Sequence, residues 1–236
     1  MSLVDYKVPF RSEAFIAEVA MKCWRIGTVP GSKLVDLNLI LEELKAHGVE
    51  SIVRIPGVKR KGNLKIEILE DNSSKLPAYV EFVPRLKLCV QKNTWSRFQE
   101  GYSEERIIIA HEIGHILLHS DEAKQFSRDP GLQIQFADDE DSAEGQANLF
   151  ADHLLIPTHV AERIRDVSRV AFVCNVPDGF AFDRMSAIGR AKKLLAVVPN
   201  CEPCENCGDF AVTDDAGIRK CRSCGPQTSG HPRTGV

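Results

Sequence analysis

No stretch of this sequence stays apolar for the roughly 18–20 residues that a membrane span requires. The opening residues, MSLVDYKVPFRSEAF, hold no continuous apolar run, so no secretory signal is expected. Neither sign of charge dominates: 30 Lys+Arg stand against 33 Asp+Glu, a formal net charge of −3. That balance excludes a polybasic binder of nucleic acid or of a membrane surface. Internal repeats and low-complexity tracts are also lacking. These absences leave a soluble cytoplasmic protein. Its 236 residues, 43% of them apolar, can bury the core of one large domain, or of one domain with a small appendage.

In that compartment the eight cysteines are not expected to pair as disulfides. Five of them crowd into residues 201–224, which read CEPCENCGDFAVTDDAGIRKCRSC. Cys204 and Cys207 form one C-x-x-C, and Cys221 and Cys224 form another, with thirteen residues between the pairs. A glycine follows each pair (Gly208, Gly225), which lets the chain turn tightly and aim backbone N–H groups at thiolate sulfurs. Between the pairs, Thr213 to Gly217 is a turn signal flanked by short runs that suit strands. Two such knuckles joined by a hairpin are what a tetrahedral four-cysteine zinc ribbon requires. A redox tail is the alternative reading. Cys201 makes a further C-x-x-C with Cys204, so its standing as a ligand stays open. Basic and acidic residues are mixed in this segment, which gives nucleic-acid binding no support. Cys23, Cys89 and Cys174 stand alone among apolar neighbours and read as small core residues.

The body of the chain alternates helical and strand patterns. Ser12 caps a helix with Phe15, Ile16, Val19, Ala20, Cys23 and Trp24 on one face. Asp36 opens a second helix, ended by Gly48. Period-two runs at Ser51–Ile55, Leu64–Leu69, Tyr79–Val83 and Leu86–Val90 predict strands. A third helix follows Gly101, with Ser103 as its expected cap and Glu104 and Glu105 complementing its dipole. A fourth carries AEGQANLFADHLL to Pro157, and two more patterns cover roughly 158–168 and 183–196. The residues after 226 read as a disordered tail.

The third helix contains HEIGH at residues 111–115. Positions four apart on a helix differ by only about 40° in azimuth, so His111 and His115 share a face, suitably spaced for one zinc ion. Glu112 lies beside them, able to take a proton from a metal-activated water. A catalytic zinc also needs a third protein ligand. Glu144 on the fourth helix offers a carboxylate, and Asn148 one turn later offers an amide to fix the tautomer of a ligand histidine. The alternative for Glu144 is an ordinary N-terminal carboxylate complementing the helix dipole. Small residues at Gly114 and Ala147 would let the two helices approach closely. His119, one turn beyond His115, reads as a fourth ligand or as a residue supporting the ligands. Tyr102 and His153 are candidate oxyanion stabilisers, although nine residues from Glu144 puts His153 about 180° round the helix.

HEIGHILLH followed by EGQANLFADHLLIP resembles the ImmA/IrrE family of zinc metallopeptidases, over roughly residues 12–157. The resemblance implies His111, His115 and Glu144 as zinc ligands and Glu112 as general base, in a gluzincin-like α+β domain with a small mixed sheet. It implies an endopeptidase that acts inside the cell on regulatory proteins, helix-turn-helix repressors among them. The chain departs from the family pattern in two places. Residues 158–198 match the family's helix-turn-helix-like segment only weakly, and the cysteine tail lies outside the core family. The expected division is therefore a metallopeptidase domain over 1–198, a zinc ribbon over 199–226 and a tail over 227–236, with one catalytic and one structural zinc. The strand at Leu86–Gln91 is expected to be an edge on which an extended substrate adds. Two alternatives remain. One is a SprT-like zinc-ribbon protease working on DNA-bound proteins, which calls for a later histidine as third ligand. The other is a non-catalytic regulator that only binds a partner.

Overall fold

The computed structural model describes residues 8–54, 62–119 and 142–197, together with the strand residues 212–215, 218–221 and 225–226. Helix α1 (Glu13–Gly27) begins where the Ser12 hydroxyl accepts the Phe15 N–H at 3.2 Å. Its stripe of Ile16, Val19, Ala20 and Cys23 is buried. Helix α2 (Leu37–His47) is capped by Asp36, whose carboxylate accepts from Asn38 N at 2.9 Å. Gly48 ends it at φ 74°, a left-handed conformation that a side chain would resist. The strand expected at Ser51–Ile55 is absent over its described part. Val49–Ser51 forms a 3₁₀ turn instead, and Ile52 and Val53 both donate to the Val49 carbonyl at 3.0 Å. Val49, Ile52 and Val53 are apolar at i, i+3 and i+4, which is a helical period and not an alternation.

Strands β1 (Lys65–Leu69), β2 (Ala78–Glu81) and β3 (Lys87–Gln91) form a mixed sheet in the order β1-β3-β2. β1 runs parallel to β3 with Ile66 opposite Leu88, and β2 runs antiparallel with Val80 opposite Leu88. β3 is thus the central strand, which corrects the expectation that Leu86–Gln91 is an edge. Its backbone groups are taken up on both sides, and Leu88, Cys89 and Val90 are buried in succession. Among the described residues β1 and β2 are the outer strands of this sheet.

Helix α3 (Lys92–Gln99) follows β3 directly and has no counterpart in the sequence reading. Only Thr94 and Phe98 are buried on it, too few apolar positions to announce a helix. Helix α4 (Ser103–Leu118) starts one residue earlier than expected: Tyr102, not Ser103, occupies the cap position, with no side-chain cap bond. Ile109, Ala110, Ile113, Ile116 and Leu117 are fully buried, so α4 is the central helix of the body.

Helix α5 (Ala143–Leu155) packs against both α4 and α1, and is capped by Ser142, which accepts from Gly145 N at 2.8 Å. Three helices follow in place of the two expected: α6 (Thr158–Ile164), α7 (Val167–Cys174) and α8 (Asp178–Val197). Arg165 at φ 61° and Asn175 at φ 52° break the chain between them in left-handed caps. One apolar core joins residues of α1, α2, β2, β3 and α3 to α8. Cys23, Cys89 and Cys174 are buried in the body, as core residues should be. Among the described residues no helix is long and apolar enough to cross a membrane.

In the C-terminal segment, β4 (Val212–Asp215) and β5 (Ile218–Cys221) pair antiparallel, and β6 (Gly225–Pro226) adds to β5 with Gly225 opposite Cys221. The expected hairpin is therefore present. Cys201, Cys204, Cys207 and Cys224 lie outside the described residues, as do the proposed domain boundary and the tail.

Candidate metal centre

Helices α4 and α5 bring three ligating side chains together. His111 and His115, one turn apart on α4, hold their Nε2 atoms 3.0 Å from each other. Glu144, in the first turn of α5, spans the pair: its Oε2 is 3.2 Å from His111 Nε2 and its Oε1 is 3.4 Å from His115 Nε2. The ligating atoms all lie within 4.8 Å of one another, and no other group of three or more His, Cys, Asp or Glu does so among the described residues.

The donor chemistry fits a metal ion. His111 Nδ1 meets Asn148 Oδ1 at 2.8 Å, so in the neutral ring this nitrogen carries the proton and leaves the lone pair on Nε2, the nitrogen nearest Glu144. Two imidazole nitrogens and a carboxylate facing one point are a donor set that could hold a metal ion, and two imidazoles plus a carboxylate are a ligand combination that leaves a zinc ion room for a water.

Electrostatics agree. Burial opposes a charge on His111, but the hydrogen bond to Glu144 and the negative charges of Glu112 and Glu144 outweigh it and raise the pKa. Burial likewise opposes the Glu144 carboxylate, yet the two histidines hold its pKa well below the usual range. Glu112 is itself buried, at 8% exposure, and its charge is felt at His111.

The remaining candidates are placed differently. His119, the residue after α4, turns its Nδ1 onto His115 Nδ1 at 2.9 Å, the nitrogen remote from Glu144. Its Nε2 meets Gln146 Oε1 at 3.2 Å. Sequence reasoning passed over Gln146, although a glutamine between Gly145 and Ala147 on an otherwise apolar face was a signal; it is fully buried. Tyr102 is about half exposed at the start of α4, roughly 13 Å along the axis from His111, with Arg97 over its ring. His153 points to the other side of α5. Its Nε2 donates to Glu13 Oε1 at 3.0 Å, and Arg184 donates to its Nδ1 at 2.8 Å. The structure thus gathers His111, His115, Glu144 and Asn148 with Glu112 alongside, sets His119 behind His115, and leaves Tyr102 and His153 apart.

Residues 102–169 match the family model of the IrrE N-terminal-like domain, Peptidase_M78. The matched segment runs from the cap of α4 into α7 and contains all of the gathered residues, which supports the ImmA/IrrE family and a protease-like function. No curated protein and no solved structure matches the chain.

Proposed function

We propose that this chain is a zinc-dependent endopeptidase that cuts a regulatory protein inside the cell, a helix-turn-helix repressor being the first candidate. The observation that carries the reading is the convergence of His111, His115 and Glu144 at one point, with Glu112 beside it in a segment that matches a peptidase family. His111, His115 and Glu144 would hold a zinc ion, which would supply Lewis acidity at the scissile carbonyl and a lowered pKa, toward about 7, for an attacking water. Glu112 takes the proton as the water oxygen bonds to the carbonyl carbon, then delivers it to the leaving amine nitrogen as the C–N bond breaks. Asn148 keeps the His111 ring turned with Nε2 inward.

The SprT-like alternative needs a later histidine in place of Glu144. His153, the later histidine on α5, is held instead by Glu13 and Arg184. A purely binding role gives Glu112 no task. For the tail we propose a second, structural zinc on Cys204, Cys207, Cys221 and Cys224; the β4–β5 hairpin between the two C-x-x-C pairs supports it.

The test is co-expression of the full chain with helix-turn-helix repressors encoded by neighbouring genes. The wild type should clip one of them in a zinc-dependent way, and the Glu112→Gln variant should leave it whole. A cut that persists in Glu112→Gln would overturn the mechanism.

A further inference from the structure

Behind His115 a chain of hydrogen bonds runs away from the metal centre to the segment before α1. Gln146 Nε2 donates to the Pro9 carbonyl at 2.9 Å. A backbone carbonyl only accepts, so the NH₂ end of the amide faces Pro9 and the oxygen faces His119. His119 Nε2, at 3.2 Å from that oxygen, must carry a proton. In the neutral ring His119 Nδ1 then holds a lone pair, and it receives the proton of His115 Nδ1 at 2.9 Å. With its proton on Nδ1, neutral His115 turns a lone pair on Nε2 toward His111 and Glu144.

The same protonation pattern follows from the opposite end. An imidazole that ligates through Nε2 keeps its proton on Nδ1, which must donate to an acceptor. His119 supplies that acceptor only when its own proton sits on Nε2, where the Gln146 oxygen stands at 3.2 Å to accept it. Both ends of the chain therefore demand one arrangement of protons. His119 and Gln146 are buried, at 3% and 0% exposure, so water does not offer a substitute partner at little cost. The far end is fixed as well, because Val8, next to Pro9, packs on Ala143 in the first turn of α5.

We propose that Gln146 and His119 are positioning residues that hold His115 in the Nδ1-protonated tautomer and so present its Nε2 as a ready-made metal ligand, with the Pro9 carbonyl as anchor. This inference rests on the reading of His111, His115 and Glu144 as the metal site.

The discriminating pair is His119→Leu against His119→Asn in the full chain. The two replacements have similar volume, but the asparagine Oδ1 can stand where the His119 Nδ1 stood and accept from His115. Zinc affinity, measured by competition with a chromophoric chelator, should fall about tenfold or more in His119→Leu and largely recover in His119→Asn. Equal affinities in the two variants would overturn the proposal, since a packing role does not distinguish them. Ring nitrogen NMR of the zinc-free wild type gives an answer that needs no variant. In the neutral rings His115 should be protonated on Nδ1 and His119 on Nε2; a neutral His115 protonated on Nε2 instead overturns the proposal. Failure of the metal reading looks different: zinc binding would then be indifferent to His111→Ala and Glu144→Ala. If those variants lose zinc while His119→Leu does not, the relay alone is wrong.

Discussion

Gly114 faces Ala147 so closely that a Cβ placed on Gly114 would stand 3.1 Å from the Ala147 Cα and 3.2 Å from its carbonyl oxygen. The missing side chain sets how near α5 lies to α4 at the metal centre. Gly114 sits between His111 and His115, and Ala147 lies one turn after Glu144, so the carboxylate reaches both imidazoles only because the two backbones nearly touch there.

Gly114→Ala should therefore weaken zinc binding as well as the fold. Alanine is preferred in a helix by about 1 kcal/mol, whereas forcing a methyl against an unyielding backbone costs about 1–3 kcal/mol. We expect a net loss on the order of 1 kcal/mol in the zinc-free chain and a clear drop in zinc affinity as Glu144 draws back. Thermal unfolding and chelator competition measure the two effects; a variant more stable than wild type with unchanged zinc affinity would disprove the close-approach argument.

Zinc binding should fail in acid sooner than an ordinary imidazole site would. Protons compete with the metal for His111, and against burial the Glu144 hydrogen bond and the Glu112 and Glu144 charges raise its pKa in the zinc-free protein. Affinity should thus begin to fall at a pH above the usual imidazole value. Glu112→Gln removes one of these charges and should move the onset to lower pH while zinc is retained. Affinity titrations across pH check this, and an unmoved onset contradicts it.

Asp152, on α5 beside the Glu13–His153–Arg184 cluster, should make stability depend on pH in the opposite sense from a salt-bridged carboxylate. Burial pushes its carboxyl up to about 6; Arg184 opposes the rise, and Asp183 and Glu13 add to it. A pKa raised on folding gives stability that is complete below the unfolded value near 4 and is lost as pH rises through about 6. Asp152→Asn should therefore unfold at higher urea concentration than wild type near pH 8, by at most about 3 kcal/mol, and lose that advantage near pH 4. An advantage of equal size at both pH values would rule the charge out as its cause.

Much of this arrangement was legible from local chemistry. Ser12 and Asp36 cap their helices as their types suggest, and HEIGH and the Glu144–Asn148 spacing stood out because helix geometry fixes what four-residue spacing can do, while the choice of Glu144 as a ligand came mainly from the ImmA/IrrE resemblance. The misreadings occurred where tertiary context decides. Which strand is central depends on what pairs with β3, although three successive buried residues, Leu88 to Val90, hinted at cover on both sides. α3 stayed hidden because it buries only two side chains and draws its first-turn support from a distance: Asp71 accepts the Asn93 N–H at 2.7 Å. Gln146 was passed over because its partners, His119 and Pro9, lie 27 and 137 residues away.

The central claim, that His111, His115 and Glu144 hold a zinc ion, is tested most directly by the zinc content of the purified full chain and of its Glu144→Ala variant. The wild type should carry two zinc ions per chain, and Glu144→Ala should carry one, left on the cysteines. A Glu144→Ala variant that keeps the full wild-type zinc content, at unchanged affinity, would contradict the account.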